Sequence, residues 1–221
     1  MPTIRLHHQD IGNDTSATLI AEHYQYTFEL AYKYWRERNR LFVAMLGMLG
    51  FTALTSTRSE AGSLLVIGIA NALGVQGEGD QMAALQDSLP IALVNGVFLG
   101  VIAMLVFLVY QRTRYLKALY AYLGELESEL RSLLELPPTS TAFTRESDFY
   151  RKHSGVFAAH VLGAAYLSFS GVALGAVVGL RLIQDVQLTS STSFVVELAF
   201  GSAAILFFLG YVREEMWKKR P

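Results

Sequence analysis

Residues 88–111 read SLPIALVNGVFLGVIAMLVFLVYQ, 24 consecutive positions without a charge. At 1.5 Å per residue such a helix is about 36 Å long, enough for a hydrocarbon core of about 30 Å. A helix of a soluble bundle keeps one polar face toward water. IALVNGVFLGVIAMLVFLVY, residues 91–110, has none. Three further stretches share this character. Residues 41–57 give 17 positions without a charge, at the short limit for a span, residues 154–180 give 27 broken only by His160, and residues 193–212 give 20 with one charge, Glu197. The expected fold is an all-α integral membrane protein with four transmembrane helices. A fifth apolar piece, SLLVIGIANALGV at residues 63–75, has only 13 positions. It is expected at the outer interface or packed on the bundle.

Composition supports the same class. Of 221 residues, 52% are apolar and 17% charged, against roughly 25% charged in an ordinary soluble domain. The mean hydropathy is +0.33. A disordered chain, a collagen-like fibre and a nucleic-acid binder with a basic face are excluded. The absence of cysteine removes disulfides, thiolate metal sites, cysteine nucleophiles and palmitoylation. The opening MPTIRLHHQDIGNDT has no apolar run, so no cleaved signal peptide is expected.

Charge sets the orientation. With four spans, sixteen of the eighteen Lys and Arg residues fall on one side, leaving only Arg58 and Arg181 on the other. The two faces carry net charges of +3 and −4. The positive-inside rule then places both termini in the cytoplasm. Five parts follow: a cytoplasmic helical arm at 1–40, a first hairpin at 41–111 with outer loop 58–87, a cytoplasmic helix and linker at 112–153, a second hairpin at 154–212, and a basic tail at 213–221.

The arm reads as a helix from about Thr15, with Asp14, Thr15 and Ser16 as capping chemistry. Its aromatic run of Tyr24, Tyr26, Phe28, Tyr32, Tyr34 and Trp35 suits an interfacial belt, a packing surface or a stacking platform for a ligand base. After the second span, Leu116, Leu119, Leu123, Leu126, Leu130 and Leu133 repeat at alternating three- and four-residue steps, the seam of a heptad helix. That helix is expected to run to Leu136, where Pro137 and Pro138 stop it. Its seam must bury against the arm, through Leu19, His23, Tyr26 and Leu30, or against another subunit.

Few residues suggest chemistry. Glu197 is the sole acid within a span, and Arg181 stands at similar depth at the outer end of the third. They fit an ion pair that fixes the hairpin, or a pore-lining acid. Gly171, Gly175 and Gly179 share one face of the third span, and Gly96 and Gly100 repeat that spacing in the second; such faces admit a closely packed helix. Asn95 fits an interhelical hydrogen bond. His153 and His160 share a face that His23 approaches if the arm folds back, while His7 and His8 lie in the leading segment. None of these has the ligand spacing of a metal site. No phosphate loop, nucleophile elbow or acid pair occurs, so no catalytic residue, metal or cofactor is expected. The inner basic rim (Arg36, Arg38, Arg40, Arg112, Arg114, Lys117, Arg151 and Lys152) suits anionic lipid headgroups or an anionic nucleotide.

A helix ending in YWRERNR runs into the first span, an outer loop and second span follow, and the basic exit QRTRYLK leads to a leucine-rich helix. This layout, over residues 15–136, resembles the SLATT and related four-span membrane effectors of bacterial conflict systems. The resemblance implies an antiviral defence effector that oligomerises, as a dimer to tetramer, and perturbs the membrane when a cytoplasmic partner or nucleotide signal is sensed. A small channel or transporter, and a scaffold that recruits a soluble protein, stay open as alternatives. No nucleic-acid partner is expected.

Overall fold

A computed structural model describes residues 7–57, 67–68, 72, 91–137, 139–140, 142–143, 156–188 and 191–216. The chain is all-helical among the described residues. Four long helices follow in order: α1 (His7–Thr57), α2 (Ile91–Leu133), α3 (Val156–Leu188) and α4 (Ser191–Met216). Stretches long and apolar enough to cross a membrane are Gly96–Leu133 in α2, Gly163–Ile183 in α3 and Phe194–Met216 in α4. The uncharged residues 41–57 form the end of α1. The outer loop and the apolar piece at 63–75 lie almost wholly outside the described residues.

Helix ends depart from the sequence expectation at three places. α1 starts at His7, eight residues before Thr15, because Asp14, Thr15 and Ser16 continue a helix instead of capping one. α2 stops at Leu133, three residues before Leu136. Its end is a paired-hydrogen-bond cap: Leu136 N–H donates to Arg131 O at 3.1 Å and Glu135 N–H to Ser132 O at 3.3 Å. That geometry needs a left-handed residue, here Glu135 at φ 49° where glycine is usual. Arg131 then clasps the departing chain, its Nη1 donating to Ser140 O at 2.9 Å and Ala142 O at 2.8 Å. α3 runs to Leu188 and α4 begins at Ser191, so both helices extend past the apolar runs at 154–180 and 193–212. Nothing in RLIQDVQL breaks a helix; a charge ends an apolar run without ending the helix that carries it.

The chain divides into two compact units, Met1–Arg38 with Arg112–Ala164 and Asn39–Gln111 with Ala165–Pro221.

The second unit has a core drawn from all four helices: Met45 and Leu49 of α1, Leu99, Ile102 and Val106 of α2, Leu174 and Val177 of α3, Ala204 and Phe208 of α4. Its outer surface is just as apolar. Val43, Met104, Phe169, Val172, Leu206 and Leu209 are exposed, and only 28% of the apolar windows of α3 and α4 is buried. In water that surface would carry a large hydration penalty; hydrocarbon removes it. Hydroxyls are served locally, Ser170 Oγ donating to Tyr166 O at 2.8 Å and Thr55 Oγ1 to Thr52 O at 3.0 Å. A hydroxyl without water binds back onto its own helix in this way.

The first unit pairs the first part of α1 with the second part of α2. The Tyr34 and Tyr115 rings stack at 6.2 Å, and Tyr24 meets Glu127, so the two helices run antiparallel. Ala31, Leu116 and Leu123 form the centre, with Tyr24, Phe28, Tyr34 and Leu119 packed around it. The leucine seam is inside: Leu116, Leu123, Leu126 and Leu130 are buried, Leu119 and Leu133 half-buried. The facing side of α1 differs from the expected one. Leu19 and Tyr26 are 61% and 65% exposed, His23 is exposed and Leu30 half-buried, whereas Ala17, Thr27 and Ala31 are buried. Small alanines let α2 come close, and the neighbouring tyrosine and phenylalanine rings fill the flanks. Hydrophobic letters alone pointed to the adjacent stripe.

Candidate functional site

Two ionisable groups lie inside the apolar unit. Glu197 is 1% exposed on α4 and Arg181 is 5% exposed on α3. Arg181 stands near the end of the apolar stretch Gly163–Ile183, and α3 continues seven residues beyond it. Both side chains have interaction partners in the protein. Charges withdrawn from water this far persist only when compensated, because each costs several kcal/mol to desolvate. Neither presents its charge to the surrounding apolar medium.

The glycines separate into packed and open sets. A methyl built on Gly96 would stand 3.6 Å from Val196 Cγ1 and 3.9 Å from Glu197 Cγ, and one on Gly100 3.4 Å from Phe200. Gly96 thus lies where α4 brings Glu197 to α2. On α3, Gly171 faces Phe208 at 3.0 Å, but nothing lies within 4 Å of Gly175 or Gly179. Within one chain, the face through Gly171, Gly175 and Gly179 thus meets a neighbouring helix only at its first glycine among the described residues, because the wide Phe208 ring fills the approach there. Two glycines that the spacing did not reveal are packed tightly. A methyl on Gly201 would come 2.8 Å from Val178 Cγ1, and one on Gly210 3.3 Å from Tyr110. They are nine residues apart, so no four-residue repeat announces them.

In the first unit the polar groups are tied into the helix pair. Glu127, 1% exposed, accepts a 3.0 Å hydrogen bond from Tyr24 Oη. The sequence reading passed over it, although it stands at seven-residue multiples from Val106 and Thr113, both buried. Arg112 Nη2 lies 3.3 Å from Glu37 Oε2, and its guanidinium sits 4.7 Å from the Tyr34 ring centroid. The rim is thus not uniform. Arg112 belongs to the helix contact, Arg38 and Lys117 are half-buried, and Arg36, Arg40 and Arg114 are exposed. Arg151 and Lys152 lie outside the described residues.

His23 Nε2 is 2.9 Å from Tyr122 Oη, with the rings edge to face at 5.7 Å. The companions expected for it, His153 and His160, are not described in their side chains; the same holds for His7, His8 and Asn95. No cluster of three or more His, Cys, Asp or Glu side chains suited to a metal occurs among the described residues. No family model, no curated protein and no solved structure matches the chain.

Proposed function

We propose that the chain is a sensor or effector of a bacterial defence system, seated in the inner membrane with four spans and both termini in the cytoplasm. The observation that carries this reading is the build of α1 and α2. They have 51 and 43 residues, about 76 and 64 Å of helix at 1.5 Å per residue, against a hydrocarbon core of about 30 Å. Each is therefore a span with a long charged continuation. The continuation is not idle surface: in the first unit it is packed through Ala31, Leu116 and Leu123.

A helix that both crosses a bilayer and packs in a polar layer transmits a change in that layer without a flexible joint. The end of α1 supplies the first of the four spans, and the sixteen-to-two distribution of basic residues supports the orientation. The layout resemblance to SLATT-type effectors supplies the biological assignment. In this reading a cytoplasmic protein or nucleotide signal alters the packed layer of an oligomer, dimer to tetramer, and the membrane part permeabilises or signals. The test is phage challenge of cells carrying a membrane-potential dye, comparing wild type with Leu123→Asp/Leu126→Asp. Wild type should protect and depolarise on infection while the variant does neither. Equal protection by both, or none by wild type in its native gene context, overturns the reading.

A further inference from the structure

Tyr32, Trp35 and Arg36 form one outward-facing stack on α1. The Tyr32 and Trp35 rings lie 6.0 Å apart at 16°, and the Arg36 guanidinium carbon is 5.3 Å from the Tyr32 centroid. Tyr32, Trp35, Arg36 and the adjoining Lys33 are all exposed. Packing within the first unit does not use them; it uses Ala31 and Tyr34.

The surrounding charges set this group and Arg40 apart from the other described rim residues. Arg112 is held by Glu37, and Arg38, Arg114 and Lys117 have other interactions. Of the nearby acids in α1, Glu37 faces Arg112 and Glu29 accepts from Gln25 Nε2 at 3.3 Å. Among the described residues, neither Lys33 nor Arg36 has an acidic partner. A guanidinium stacked on a ring uses its face and leaves its planar fork of N–H donors free and oriented. That fork matches a phosphate.

Depth agrees. Leu41 opens the uncharged stretch five residues after Arg36, a rise of about 7.5 Å, and each headgroup layer is about 5–8 Å thick. Indole and phenol rings favour that layer. We propose that Tyr32, Trp35, Arg36 and Lys33 seat the phosphate diester of an anionic phospholipid. An anionic lipid is favoured over a zwitterionic one because Lys33 and Arg36 have no acidic partner among the described residues. The proposal rests on the reading that residues 41–57 enter the bilayer.

Trp35 is its own reporter, because Trp217 is the only other tryptophan and Trp217→Phe leaves it alone. The full chain in vesicles is titrated with brominated phosphatidylglycerol or brominated phosphatidylcholine, and Trp35 quenching is read. Phosphatidylglycerol should reach half-effect at about five- to tenfold lower content, the size expected of a few basic and cation–π contacts near the surface. Arg36→Gln should erase the preference, Arg36→Lys should restore only part, and Lys117→Gln, an equal charge change on α2, should leave it intact. If Arg36→Gln loses helicity, Tyr32→Leu carries the same expectation. Equal loss in Lys117→Gln, full retention in Arg36→Lys, or displacement of the lipid by ATP overturns the seat. A chain that inserts but shows no lipid preference overturns this proposal alone. A chain that fails to insert overturns the membrane reading with it.

Discussion

Tyr24 donates its phenolic proton to Glu127 across α1 and α2, a 3.0 Å contact between residues 103 apart in sequence. It places a carboxylate beside Leu123, Leu126 and Leu130, where less than 6% of each side chain is exposed. A buried acceptor deprived of its donor costs about 1–3 kcal/mol, whereas replacing both partners with apolar groups is nearly neutral. Tyr24→Phe is therefore expected to destabilise the chain by about that amount, and Tyr24→Phe/Glu127→Leu to recover most of the loss. Unfolding followed by helical signal in detergent measures both. Losses that simply add would show that the two residues do not act together.

The side of α1 that meets α2 is open to a direct comparison. Leu123 is fully buried and Leu19 is 61% exposed. Leu123→Ala should cost about 2–5 kcal/mol and Leu19→Ala less than about 0.5 kcal/mol. The same unfolding measurement decides, and similar costs at both sites would restore the Leu19 stripe as the packing face.

Glycine substitutions separate close packing from mere spacing. Gly201→Ala drives a methyl to 2.8 Å from a β-branched valine, and such overpacking typically costs about 1–3 kcal/mol. Gly175→Ala meets open space and should be neutral, or stabilising by up to about 1 kcal/mol through helix propensity. Thermal unfolding of the two variants in one detergent ranks them. The reverse order would place a tight partner helix on Gly175.

Orientation is expected to follow charge. Sidedness reporters fused at Pro221 and inserted within residues 76–80 should give opposite results, with Pro221 on the cytoplasmic side. The same side for both would require an even number of crossings between them, where the four-span arrangement has three, and would remove that arrangement.

The helical class was legible because uncharged runs of 20 or more residues admit few other solutions. The leucine seam of α2 was legible for a similar reason: leucine at three- and four-residue steps marks a buried stripe wherever it lies. Its partner face was not. Ala17 and Ala31 carry little hydrophobic weight, so a pattern based on large apolar residues favours Leu19 and Tyr26. What selects the alanines is how closely two backbones approach, which is a property of the pair. Glu127 was hidden by its type and its neighbours, since one of three acids in ELESELRS reads as surface until Tyr24 is known to face it. The end of α3 was misjudged because Arg181 ends an apolar run. Helices end at caps and at glycine or proline, and neither occurs there.

Leu116, Leu123 and Leu130 recur every seven residues on α2, and Ala17, Tyr24 and Ala31 every seven on α1. On α1 these positions alternate alanine, tyrosine and alanine, so even a slide of a whole heptad, about 10 Å along the axis, would bring an alanine to the place where Tyr24 meets Glu127. Any shorter shift takes Glu127 from Tyr24 and Arg112 from Glu37 while moving leucines off the alanines. The register of the pair is therefore held at one position, and a slide in either direction breaks the Tyr24–Glu127 and Glu37–Arg112 contacts together.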